Sequence, residues 1–123
     1  MKTTTKKIKS FEEACAAQGL DATTVLPYPT PENADQENTN AFVKLKIIAK
    51  ALRGDWEPDW KNYDQRKWFP YFEANDAGFG FSYTYFDGWG TGTFVGSRLC
   101  FPSSELAEYA GKKFIDIYNT ILK

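Results

Sequence analysis

Seven consecutive residues, Phe79-Gly80-Phe81-Ser82-Tyr83-Thr84-Tyr85, constrain the fold more than any others in the chain. Large rings alternate there with small or polar side chains, and a period of two is the signature of a β-strand. On a regular strand Phe79, Phe81, Tyr83 and Tyr85 share one face, while Gly80, Ser82 and Thr84 share the other. The heavy face needs an apolar layer against it. A small antiparallel sheet covered by helices is therefore the expected core, with this strand in its middle.

The flanking sequence supplies both partners. Trp68–Glu73 reads as a short strand, and Pro70 within it cannot donate to a ladder, so it belongs to an edge or a bulge. Asn75-Asp76-Ala77-Gly78 is a turn, Phe79–Phe86 the central strand, Asp87–Gly92 a glycine-rich loop, and Thr93–Phe101 a third strand. Ser10-Phe11-Glu12-Glu13 has the form of a capping box, and Gly19 suits the residue just past a helix end. Residues 20–30 form a loop punctuated by Pro27 and Pro29. Thr30-Pro31-Glu32 offers a cap followed by proline, with a start nearer Thr39 as the alternative. From Ala41 to Leu52 the helical stripe of Phe42, Leu45, Ile48, Ala49 and Leu52 is continuous, and Gly54 ends it. After Pro102, the residues Leu106, Tyr109, Ala110, Phe114, Ile117 and Ile121 repeat at three- and four-residue steps, predicting one amphipathic helix.

The predicted architecture is α+β: two N-terminal helices, a three-stranded antiparallel meander, and a C-terminal helix packed on one sheet face. With 123 residues and no internal linker, residues 10–123 form a single domain behind a flexible basic N-terminus at 1–9.

Composition narrows function more by exclusion than by indication. The net charge of −1 provides no global field toward nucleic acid or an anionic membrane. No segment approaches the roughly 20 apolar residues that span a bilayer, so no membrane partner is expected. Cys15 and Cys100 stand far apart, each among apolar residues, and read as reduced core residues of a cytoplasmic protein. Histidine is absent, which removes Ser-His and Cys-His nucleophiles and Cys₂His₂ zinc. Gly88-Trp89-Gly90-Thr91-Gly92 joins two strands and opens no helix, so it lacks the element that makes glycine loops bind phosphate. Asp55, Asp59, Asn62 and Asp64 offer oxygens at short spacing, but not at the spacing of a calcium loop, and turn formation is the expected use. Glu73 with Asp76 or Asp87 could pair as in a glycosidase, on a pattern common to most chains of this size. No catalytic residue, metal or cofactor is predicted.

Asp55–Lys67 has no regular period, yet it holds Trp56, Trp60 and Tyr63, the composition of a packed Ω-type loop. Trp56, Trp60, Trp89 and Arg98 are the candidate partner-binding residues, because loop rings are the ones left free to meet another surface. The expected partner is another protein or a second copy of the chain. The alternative is single-stranded nucleic acid, stacked on the loop rings and neutralised by Lys2, Lys6, Lys7, Lys9 and Arg98.

Asp55-Trp56-Glu57-Pro58-Asp59-Trp60, Gly78-Phe79-Gly80-Phe81-Ser82-Tyr83, Val95-Gly96-Ser97-Arg98-Leu99-Cys100-Phe101 and Ser104-Glu105-Leu106-Ala107-Glu108-Tyr109-Ala110-Gly111-Lys112 together resemble a family of small proteins from gut Bacteroidetes and their phages or prophages. The resemblance runs from the helix at Phe11 to the C-terminal helix. That family has no established activity, so no catalytic residue is carried over. The resemblance implies a cytoplasmic protein encoded by a phage or mobile element. The resulting expectation is a small non-enzymatic binding or accessory protein that acts through protein contacts.

Overall fold

The structure, a computed structural model, describes residues 8–62, 64–75, 78–87 and 99–122. Ser10 opens α1 (Phe11–Ala17): its hydroxyl oxygen accepts from the Glu13 amide at 3.1 Å, and Glu13 Oε1 accepts from the Lys9 amide at 2.9 Å. Such reciprocal bonds satisfy donors that a helix start leaves open. The helix closes at Gly19, φ +70°, where the Gly19 and Leu20 amides reach the Ala16 and Cys15 carbonyls at 3.2 and 2.9 Å. That pair of bonds is a Schellman closure.

The same opening recurs in α2 (Ala34–Arg53). Asn33 Oδ1 accepts from the Gln36 amide at 2.9 Å, and Gln36 Oε1 accepts from the Glu32 amide at 2.7 Å. Neither Thr30 nor Thr39 caps the helix, because Asn33 provides extended backbone and an acceptor aimed at Gln36. Gln18 ties the two helices, its Nε2 donating to the Ala14 and Ile47 carbonyls at 3.1 and 2.8 Å.

β1 (Lys67–Asn75) and β2 (Gly78–Asp87) pair antiparallel, but the register shifts between Tyr71 and Phe72. Tyr71 pairs with Tyr83 and Phe72 with Phe81, so Ser82 is an extra residue on β2, a bulge. The bulge resets the alternation. Phe79 and Phe81 stay with Phe72, whereas positions 83 and 85 fall opposite Tyr71 and Phe69. The four positions expected on one face are thus split between two registers. Side-chain contacts agree: Phe81 meets Phe72 edge-on at 6.4 Å between ring centroids, and Ser82 Oγ donates to Glu73 Oε1 at 3.0 Å on the other face.

The described residues contain two strands and not the three of a meander. Thr93–Arg98 lie outside them. Phe101, the last residue of the expected third strand, pairs with β1 rather than β2: Trp68 and Phe101 exchange both backbone bonds at 2.8 Å. Backbone groups alternate between strand edges, so Trp68 and Pro70 face away from β2. Pro70 has no N–H, and the bridge to Phe101 does not extend past it.

Ser103 caps α3 (Ser104–Lys113), accepting from the Leu106 amide at 3.2 Å. The single helix expected here breaks at Phe114, and α4 (Ile115–Leu122) continues beyond it. Both C-terminal helices contact the sheet, α3 across both strands and α4 along β2. Gly111 permits the closest approach: a Cβ there would lie 2.7 Å from Phe81 Cδ1 and 2.8 Å from Pro70 Cβ. Asn119 meets the end of β2, accepting from the Phe79 amide at 2.7 Å and donating to its carbonyl at 2.8 Å. Its amide thus takes the place of a neighbouring strand. The core lies among the helices and under this sheet face, with Phe11, Leu45, Ile48, Leu52, Phe101, Leu106 and Phe114 buried. Trp68 and Phe72 pack against it, the latter 4.8 Å from the Tyr118 ring.

Candidate contact surface

The unbulged strand β1 places Lys67, Phe69, Tyr71 and Glu73 in one row, on the face opposite Pro70 and Phe72. That row runs from fully buried to exposed. Lys67 is 1% exposed, Phe69 half-buried, Tyr71 47% exposed, and Glu73 exposed. Tyr71 is the most exposed large hydrophobic residue among those described.

The loop before β1 explains the buried end. Asp59 Oδ1 accepts from the Lys61 amide and Asn62 Oδ1 from the Asp64 amide, each at 3.0 Å, forming two side-chain-stabilised turns. Gln65 closes the loop, accepting from the Asp59 amide at 2.6 Å and donating to the Glu57 carbonyl at 3.0 Å. The Asp59 and Asn62 carbonyls point inward onto Lys67 Nζ at 2.6 and 3.1 Å, and the Trp60 ring centroid lies 5.0 Å from the same ammonium. A buried ammonium must replace its lost hydration, and two carbonyls with a ring face do so here. The oxygen-rich loop considered for calcium is thus folded around a cation that the chain itself supplies. Among the described residues, no group of three or more His, Cys, Asp or Glu is placed to hold a metal.

Trp56 and Trp60 are both half-buried, so each retains accessible ring surface, and Trp60 has one side engaged by Lys67. Trp89 and Arg98 lie outside the described residues, as do Tyr63, Asp76 and the Gly88–Gly92 loop. Among the described residues the exposed charges of this region are Asp55, Glu57, Asp59, Asp64 and Glu73 against Lys61 and Arg66. Sequence reasoning missed Lys67 and Tyr71. Tyr71 was legible in the alternation of β1, since Phe69, Tyr71 and Glu73 oppose Trp68, Pro70 and Phe72. No signal marks Lys67 as buried.

Both thiols are fully buried and free. Burial pushes the Cys100 thiol up to about 11, opposed in part by the charges of Arg53 and Lys67. Arg53, itself buried, donates from Nη1 to the Cys100 carbonyl at 3.4 Å. Cys15 is raised as well, by burial first and then by the Glu12 and Asp21 charges. A thiol that is inaccessible and protonated at neutral pH is a packing group and a poor nucleophile. No helix among the described residues is long and apolar enough to cross a membrane. No family model, curated protein or solved structure matches the chain.

Proposed function

We propose that this chain is a small non-enzymatic binding or accessory protein that acts through protein contacts, on the β1 row that carries Phe69 and Tyr71, with Trp60 held on Lys67 of that row and Trp56 a further candidate in the same loop. The observation that carries this reading is Tyr71, about half exposed on the sheet face away from α3 and α4. Exposed aromatic rings on a rigid strand are the usual anchors of protein interfaces. The anchoring of the loop on Lys67 favours the same use, because a pre-ordered loop loses little entropy on binding. Free buried thiols suit a reducing cytoplasm, and a phage or mobile-element origin rests on the sequence resemblance alone.

The exposed Tyr71 ring on the sheet also suits base stacking, which keeps single-stranded nucleic acid as the second reading. Among the described residues the surrounding charges weigh against it, since five exposed carboxylates of this region stand against Lys61 and Arg66. Titration with single-stranded DNA and RNA, followed by tryptophan fluorescence at low and moderate salt, tests the choice. Protein contact predicts no salt-dependent quenching. Quenching that weakens steeply with salt would put nucleic acid in its place.

A further inference from the structure

Charge is unevenly shared along this chain. From Asp55 to Asp87 the sequence carries seven carboxylates and three cations, a balance of −4 within a chain of −1 overall. That stretch holds β1, β2 and the loop before them. One of its cations, Lys67, is turned inward onto the Asp59 and Asn62 carbonyls.

Glu73 is the carboxylate placed in one row with the exposed ring. It stands two residues from Tyr71 on the same face of β1, roughly 7 Å away along an extended strand. Gly80 opposes it on β2 and has no side chain to cover it. Ser82, the bulge residue, reaches the same face and donates to Glu73 Oε1 at 3.0 Å. The bulge thus orients an exposed carboxylate next to an exposed ring, and a carboxylate that accepts one such bond keeps further lone pairs for a ligand. A planar guanidinium suits this pair. It stacks on a ring within about 6 Å of the centroid while its fork meets a carboxylate with two parallel bonds. An ammonium is a compact, strongly hydrated charge and lacks the fork.

Charge complementarity selects the occupant. Nucleic acid would bring phosphates to a stretch that is already negative, and a second copy across a two-fold axis would bring carboxylates to carboxylates. We propose that the β1 row takes a basic, arginine-bearing segment of another protein, with one guanidinium lying on the Tyr71 ring and forking onto Glu73. This rests on the reading of the Tyr71 face as a protein contact and adds the chemistry of the partner.

Titrating the ¹⁵N-labelled full chain with an octapeptide of alternating arginine and valine tests this directly. The Tyr71, Glu73 and Ser82 amides should shift together, and binding should weaken from low to moderate salt. Glu73→Gln keeps the shape of the side chain and its bond from Ser82 but removes the charge. It should weaken binding at least about threefold at an unchanged thermal midpoint, and a lysine–valine peptide should bind the wild type at least about threefold more weakly than the arginine one. No shift at peptide concentrations up to roughly 1 mM would overturn the proposal. So would equal binding of a lysine–valine or a neutral glutamine–valine peptide, or unchanged affinity in Glu73→Gln. Each of these failures removes the arginine alone. The Tyr71 face as a contact is decided separately, by whether Tyr71→Ala loses the partner recovered from the cell.

Discussion

Replacing Lys67 with methionine isolates what the ammonium does for the loop that surrounds it. The wild-type ammonium donates to two carbonyls and sits under the Trp60 ring. Hydrogen bonds from a charged group contribute about 1.5–3 kcal/mol each, and a desolvated cation–π contact about 2 kcal/mol. Against this stands the desolvation of a buried ion, several kcal/mol after relaxation. The terms nearly cancel. Methionine keeps most of the volume and removes the desolvation cost, and both carbonyls keep one donor, from the Asn62 and Gln65 amides at 3.1 and 3.2 Å. Global stability should therefore fall by only about 1–2 kcal/mol, or roughly 3–8 °C in thermal midpoint for a chain of this size. The local effect should be larger. With 5-fluorotryptophan labelling, the Trp60 resonance should move and broaden, and the Asn62 and Gln65 amides should exchange faster. Lys67→Ala adds a cavity and should cost about 3–5 kcal/mol. A methionine variant with unchanged Trp60 resonance and unchanged exchange would show that Gln65 alone holds the loop, and the ammonium account would fail.

Further outcomes follow from the packing and the titrating groups. Gly111→Ala gains about 1 kcal/mol of helix propensity but drives a methyl into Pro70, a ring that cannot swing away, so a net loss of about 1–2 kcal/mol is expected. A higher thermal midpoint would refute the close approach of α3. Asn119→Leu removes both bonds to Phe79 and should cost about 1–3 kcal/mol, with faster exchange of the Phe79 amide as its signature. For pH, the folded thiol of Cys100 titrates above its unfolded value of 9.0, at about 11. Its stabilising effect is complete below pH 9 and is lost as pH rises through 11, by at most about 2–3 kcal/mol. Denaturant midpoints should be flat near neutrality and fall above pH 9, less steeply in Cys100→Ala. An equal alkaline slope in that variant would remove Cys100 as the cause.

Much of the fold was legible because local chemistry and tertiary position agree. Ser10, Gly19 and Gly54 sit where their side chains or backbone freedom predict, and the α2 stripe from Leu45 to Leu52 is buried as its spacing requires. The misses have identifiable causes. Ser82 is a small polar residue that keeps the alternation intact on paper, yet as the bulge residue it moves positions 83 and 85 to the other face. The three- and four-residue repeat runs unbroken through Phe114, and no proline or glycine sits at the break itself, so the sequence carries no sign of it. Trp56 and Trp60 were correctly placed in an irregular loop. What organises that loop, Lys67, lies outside its aromatic pattern and reads in sequence as an ordinary surface lysine.

The claim at the centre of this account is that the Tyr71 face is a protein-binding surface. Cross-linked complexes recovered from the source cell by wild-type chain and by Tyr71→Ala, compared at equal expression and equal thermal midpoint, test it most directly. The account predicts a defined protein band that the wild type recovers and that Tyr71→Ala loses by at least about tenfold, the effect of removing one hot-spot ring. A band recovered equally by both, or none with either, would contradict it.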